Sequence, residues 1–338
     1  MTWVSVSGSD YYNYPGRKMR KQQGRNHHPH ATATLFLRIF LFLFSALLLS
    51  SCVTRRDEMR AEEFFSIGMA FFDLGRFAEA EIWLNRARAS DRTVTASEYN
   101  LGRIAFETGR FEEAALLFER ILRRDPYNVM ALRAAAYSRI KNGDLETAAA
   151  LYDQVLALVP EDADGGFNYA LVLFALGRYE ESRAALNRHP HALEGNAPSL
   201  LLFARSEKAL GRIEAIDSYA RWLSAVTETP VPQGLFEFAQ VLEAAGFYSR
   251  AIEQIDAALE AVGTGTAAPG RPRLRFEKAR ILLIADPESA EGISELTAAV
   301  ADGFSDTDEL QALLREPRIS PANMNEIRDI LDQVRTSD

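Results

Sequence analysis

Leu101-Gly102-Arg103-Ile104-Ala105-Phe106-Glu107-Thr108-Gly109-Arg110-Phe111-Glu112-Glu113-Ala114, running on through Phe118 to Pro126, decides the fold of this 338-residue chain. In it a small residue precedes a glycine by seven positions. A large apolar residue follows that glycine by two, an alanine comes three further on, and a proline closes the stretch. The arrangement returns every 34 residues: Gly75, Gly109, Gly143, Gly177 and Gly211 share one grid, and Gly246 falls one residue late. Seven before each stand Gly68, Gly102, Ala136, Ala170, Ala204 and Ala239; two after stand Phe77, Phe111, Leu145, Tyr179, Ile213 and Tyr248. Pro126 and Pro160 end two of the units at one offset. A fixed period of this length means stacked copies of one supersecondary unit.

Each unit reads as two apolar-periodic helices of about 12 residues, joined by a turn whose glycine serves as a left-handed cap. The small residue lets the second helix approach the first, so a larger side chain at Gly102 overpacks the contact. One hairpin cannot bury its apolar face, whereas six or seven stacked hairpins do so through nearest-neighbour contacts. The pattern resembles the tetratricopeptide repeat family. The match is carried best by Leu101-Gly102, Gly109, Phe111, Ala114, Phe118 and Pro126, then by Gly143, Ala148, Tyr152 and Pro160. The resemblance implies an all-α, right-handed α-solenoid of about six to seven helical hairpins with a C-terminal capping helix. Six units are expected at 61–94, 95–128, 129–162, 163–196, 197–230 and 231–262, a loop at 263–272 and a degenerate seventh unit at 273–303. Capping helices follow over 304–338. There Ser320-Pro321 supplies a capping hydroxyl before a first-turn proline, and Met324, Ile327, Ile330, Leu331 and Val334 form a one-sided apolar stripe.

The N-terminus carries a separate signal. Ile39–Leu49 is an apolar run preceded by Arg17, Lys18, Arg20, Lys21, Arg25 and Arg38 and followed by Ser50-Ser51-Cys52. A basic lead, a short apolar core and a small-residue site describe a secretory signal, here residues 1–51. The run is too short to span a hydrocarbon core, which needs about 20 residues. Leu49-Ser50-Ser51-Cys52 looks like the bacterial lipobox, which implies that Cys52, the one cysteine of the chain, is acylated and heads the mature protein. Residues 52–60 then form a short tether to the membrane, and Val53 in place of an aspartate leans toward the outer membrane and its periplasmic face.

Removal of residues 1–51 takes away six of the 38 basic residues and one of the 47 acidic ones, leaving a net charge of −14. An acidic body excludes nucleic acid as a partner, because phosphate neutralisation needs a basic face. Catalytic chemistry is scarce. The mature chain keeps two histidines, His189 and His191, in a loop between units. The pairs Glu112-Glu113 and Glu180-Glu181 read as solvated helix faces, and Gly165-Gly166 and Gly263-Thr264-Gly265 lack the Gly-Lys-Ser/Thr of a phosphate loop. No enzyme, metal or cofactor is expected.

Function is therefore expected on the concave surface. The resemblance implies that first helices line it with Phe65, Met69 and Phe72, then Tyr99, Asn100, Arg103 and Phe106. Arg133, Tyr137 and Lys141 follow, then Phe167, Asn168, Leu171 and Phe174, and finally Leu201 and Arg205. Aromatic and arginine side chains anchor interfaces, and asparagine grips peptide backbone. The family's clamp for chaperone C-termini is not reproduced: its positions correspond to Phe65, Met69, Asn100, Met130 and Ala134, of which only Asn100 agrees. A groove that binds a protein or peptide segment, in a lipoprotein that assembles or maintains the envelope, is the expected function. An accessory of solute uptake that partners a periplasmic substrate-binding protein is the alternative, with an adhesin or enzyme behind it.

Overall fold

The computed structural model describes residues 59–337 apart from 91–92, 189–192, 194, 229 and 264–267. Cys52, the basic lead and its apolar run, the two loop histidines and part of the expected 263–272 loop lie outside the described residues. The chain divides into two units, Met1–Arg60 and Ala61–Asp338, and the repeat array belongs to the second. The described residues form helices and no strands. First and second helices of successive hairpins alternate as α1 (59–73) and α2 (Phe77–Ala87), α3 (Val94–Glu107) and α4 (Phe111–Leu122), and α5 (Val129–Lys141) and α6 (Leu145–Leu158). Next come α7 (Ala163–Ala175) and α8 (Tyr179–Asn187), α9 (Ala197–Ala209) and α10 (Ala215–Ala225), and α11 (Pro232–Ala244) and α12 (Tyr248–Val262). The seventh hairpin is α13 (Arg271–Ala285) with α14 (Ala290–Ala301), followed by α15 (Thr307–Leu313) and α16 (Pro321–Ser337).

The turn glycines act as the period implies. From Gly75 to Gly246 all six have φ between +67° and +83°, and a Cβ at any of them would meet nothing within 4 Å. Backbone conformation, not space, selects glycine there. In the second unit Gly109 N–H donates to Phe106 O at 3.0 Å and Arg110 N–H to Ala105 O at 2.7 Å, closing the first helix. The residue after the glycine adds a feature that periodicity does not reveal. Arg76, Arg110 and Arg178 each pair with the glutamate three residues on, and Arg110, Arg178 and Arg212 also reach Glu81, Glu146 and Glu180 of the preceding unit. Exposed pairs of this kind are worth about 0–1 kcal/mol each, so they set register more than they add stability.

Hairpin closure depends on contact between a small and a large residue. A Cβ on Gly102 would lie 2.7 Å from the Phe118 ring, and one on Gly68 would lie 2.8 Å from Leu84. The seventh hairpin inverts the arrangement: Gly292 is on the second helix and faces Leu283 of the first at 2.8 Å. That exchange accounts for its poor match to the repeat pattern. The core continues through the array and ends where Ile327, Ile330, Leu331 and Val334 of α16 pack with Leu296 and Ala299 of α14. Ser320 Oγ accepts from Asn323 N–H at 3.2 Å, as the Ser-Pro start of α16 predicts. One boundary differs from the sequence reading. α13 begins at Arg271 after Gly270, with Pro272 in its first turn, where a missing N–H costs nothing, so helix occupies the end of the expected loop.

Two stability measurements test this packing. Gly102→Ala gains helix propensity yet drives a methyl into a buried ring, so it is expected to lower unfolding stability in urea by about 1–3 kcal/mol. Tyr152 is 2% exposed, and burial, reinforced by Tyr137 and opposed by Arg133, pushes its hydroxyl up to about 12. A folded-state value above the unfolded one means that the Tyr152 contribution is intact below pH 10 and is lost as pH rises toward 12. Two pH units correspond to up to about 3 kcal/mol. Urea titrations from pH 9 to 12 should show the fall, and Tyr152→Phe should make it shallower, leaving the share of Tyr219, whose hydroxyl burial also raises.

Candidate functional site

One register position recurs along the first helices as Met69, Arg103, Tyr137, Leu171 and Arg205, each 34 residues from the next. In the N-terminal half Arg103 and Tyr137 each meet an aromatic ring of the preceding unit. The Arg103 guanidinium lies 4.4 Å from the Phe72 ring centroid, Tyr137 stacks on Phe106 at 5.0 Å, and the Lys141 ammonium is 5.5 Å from Tyr137. Phe65 and Met69 are half-buried against the neighbouring core, and Tyr99 meets Phe118 edge-on at 5.3 Å. Arg133 is held by Asp162, the residue that starts α7.

Asn100 departs from the sequence expectation. It is 7% exposed, its Nδ2 donates to Ala96 O at 2.9 Å and its Oδ1 accepts from Arg103 at 3.1 Å. The amide is thus committed within its own helix and turned away from solvent. Asn168 is half-buried and does not border the cleft that Phe167 and Leu171 help to form.

That cleft has a volume of about 920 Å³. Phe167 and Leu171 of α7 meet Leu201 and Arg205 of α9 along its wall, so four expected groove residues converge there. Leu171 is 44% exposed. The other side comes from residues that the repeat pattern does not single out: Trp222 and Ala225 at the end of α10, and Val226, Thr227, Glu228 and Val231 in the link to α11. Their role follows from where α10 stops. Val226 turns to extended backbone, and the link leads into α11 at Pro232. The sequence signal is Thr227-Glu228-Thr229-Pro230, a polar break that marks a link but not the concavity beside it.

An ionic network fixes Arg205 at the cleft. Its Nε donates to Glu237 Oε2 at 2.7 Å and its Nη2 to Oε1 at 3.2 Å, while Glu237 also accepts from Tyr219 Oη at 3.2 Å and Gln233 Nε2 at 2.8 Å. Tyr219 lies parallel to Phe238 with centroids 5.5 Å apart and meets Trp222 edge-on. Burial, then the Glu237 charge and hydrogen bond, hold the Tyr219 hydroxyl well above the usual phenol range. One turn further along α9, Lys208 donates to Gln240 at 2.6 Å, and burial lowers its ammonium despite the opposing pull of Glu237. The result is an apolar cleft with a positioned, neutralised cation. Its chemistry is contact and hydrogen bonding. Among the described residues no group of three histidine, cysteine or acidic side chains is placed to hold a metal, and no helix is long and apolar enough to cross a membrane.

Three segments, 97–128, 139–205 and 236–306, match family models described as tetratricopeptide repeat, and together they cover half of the chain. No curated protein matches the sequence. Among solved structures, a tetratricopeptide repeat protein from Parabacteroides merdae ATCC 43184 is 21% identical, with 76% of this chain and 98% of that one aligned at a TM-score of 0.53. Pseudomonas aeruginosa pilF is 19% identical over 64% of this chain and 96% of its own, with a TM-score of 0.48. A MamA fragment from Desulfovibrio magneticus RS-1 is 16% identical over 51% and 97%, also at 0.48. These are likenesses of fold. With the glycine turns, the small-to-large helix contacts and the three matching segments, the chain is a tetratricopeptide-repeat protein.

Proposed function

We propose that this chain is a bacterial envelope lipoprotein, tethered through acylated Cys52, whose array binds a segment of a protein partner in the cleft between α7 and α9. Tetratricopeptide arrays are scaffolds for protein contact. The observation that carries the assignment of the cleft is the convergence of Phe167, Leu171, Leu201 and Arg205 on one wall. An exposed leucine beside a buried tryptophan offers apolar contact of the kind that dominates interface energies, and the neutralised Arg205 orients a polar group without attracting any anion indiscriminately. The tether reading is supported by the basic lead, the apolar run and the placement of Cys52 in the sequence. The outer membrane, on its periplasmic side, is the proposed location.

Crosslinking and affinity capture of the full-length lipoprotein from its own envelope, read by mass spectrometry, tests the cleft. Leu171→Glu is expected to lose the specific partner while helicity and melting temperature stay unchanged, because the side chain is already exposed; equal recovery from both proteins would remove the cleft from the binding surface. Arg205→Met tests the network separately. Glu237 would keep Tyr219 and Gln233 but lose its cation, and the arginine side chain is one-third exposed. Unfolding stability in urea should therefore fall by about 1–2 kcal/mol, less than for a fully buried pair.

A further inference from the structure

The two ends of the array are finished differently. At the C-terminal end α15 and α16 cover the last hairpin with their own apolar residues. At the N-terminal end the positions that interior units bury remain open. Ile67 is 38% exposed, whereas its register partners Leu101, Ala135 and Phe203 are buried and Tyr169 is half-buried. Phe64 and Trp83 are half-buried, whereas Leu132 and Leu200, and Leu117 and Tyr219, are buried at the matching places. Phe64, Ile67 and Phe71 follow one another at spacings of three and four along α1, so they make a single stripe, with Trp83 of α2 beside Phe64 and Leu74, 72% exposed, in the turn that follows. Two arginines border it: Arg76 lies 4.7 Å from the Phe71 ring and Arg86 4.7 Å from Trp83.

We infer that this stripe rests on the lipid surface. The inference depends on the proposed acylation of Cys52. Helix begins by residue 59, so only residues 53–58 separate the acyl chains from α1, a reach of at most about 22 Å. The face is thereby held beside the bilayer whatever else the array does. Its composition fits that position: tryptophan and phenylalanine sit at the headgroup level, and arginine bordering them reaches lipid phosphate. Stacking of a second copy head to tail is blocked, because the C-terminal end is already covered. Contact through this face would set the array on end. Five helices, α2 to α6, then separate α1 from α7 along the array, which keeps the cleft away from the membrane and within reach of a partner in the aqueous phase.

Tryptophan fluorescence tests the contact. Once residues 1–51 are removed, the tryptophans are Trp83 beside the stripe and Trp222, which is 2% exposed. The mature acylated protein is reconstituted in phosphatidylethanolamine–phosphatidylglycerol vesicles, with and without lipids brominated in the acyl chains. Bromolipid should quench part of the emission of the wild type and none of that of Trp83→Phe. Ile67→Glu, still acylated and vesicle-bound, should lose the quenching. Mass spectrometry of Cys52 separates the two readings. An unmodified cysteine in the native envelope protein overturns the anchor, while acylated, vesicle-bound protein with unquenched Trp83 overturns the lipid contact alone. A Cys52→Ser protein that sediments as a dimer, and whose Trp83 is shielded without lipid, would assign the face to a second copy and also overturn the proposal.

Discussion

The distance at which two helices of a hairpin meet is the constraint on which the structure depends. Gly102 against Phe118 and Gly68 against Leu84 leave no room for a methyl group, and in the third to sixth hairpins the same position is a fully buried alanine, Ala136, Ala170, Ala204 or Ala239. Because the approach fixes the crossing of first and second helices, it also fixes where the next hairpin can sit. The left-handed glycine of the first six turns supplies the second half of the constraint, since it reverses the chain in a few residues and delivers the second helix at the required height. Interior packing then follows by repetition, and stability is spread over neighbouring pairs instead of a central core.

Most of this architecture was legible in the sequence because it is periodic. Gly75 to Gly246, the small residues seven before them and the apolar residues two after them carry the geometry in their spacing. The inverted contact of the seventh hairpin was less legible: Gly292 does the work that Gly68 and Gly102 do elsewhere, but on the opposite helix, so the pattern looks degraded where the packing is intact. The start of α13 at Arg271 was obscured by prolines that signal a loop in one dimension and a helix first turn in three.

The site was legible only in part, and the physical reason differs by residue. Phe167, Leu171, Leu201 and Arg205, which line the candidate cleft, share register positions with the other residues expected in the groove, so period alone nominates them. Trp222, Val226 and Val231 enter the cleft through the end of α10 and an irregular link, which no period describes. Asn100 illustrates the opposite failure. Its register position points toward the groove, but an amide donor near a carbonyl one turn earlier on its own helix finds a partner there before any ligand can. Arg133, likewise, is met by Asp162. Register decides which side of a helix a residue occupies, while its availability depends on polar neighbours that register does not specify.

The arginines that follow the turn glycines have a consequence for how such a chain can change in length. Arg178 and Arg212 each reach a glutamate 32 residues earlier, in the adjoining hairpin, so the ion pair measures one whole unit along the chain. Adding or deleting a complete hairpin keeps the 34-residue grid of the small-residue contacts, and among units that carry a glutamate at this position, as at Glu112, Glu146 and Glu180, it gives the arginine an equivalent acidic neighbour. A change of any other size moves the arginine off its partner and rotates the following helix away from the small-residue contact. The series is interrupted in register by Asp144, after Gly143, and ends at Phe247, after the displaced Gly246. Growth and shrinkage of this array are in effect quantised, with the hairpin as the smallest step that its surface electrostatics and its core accept together.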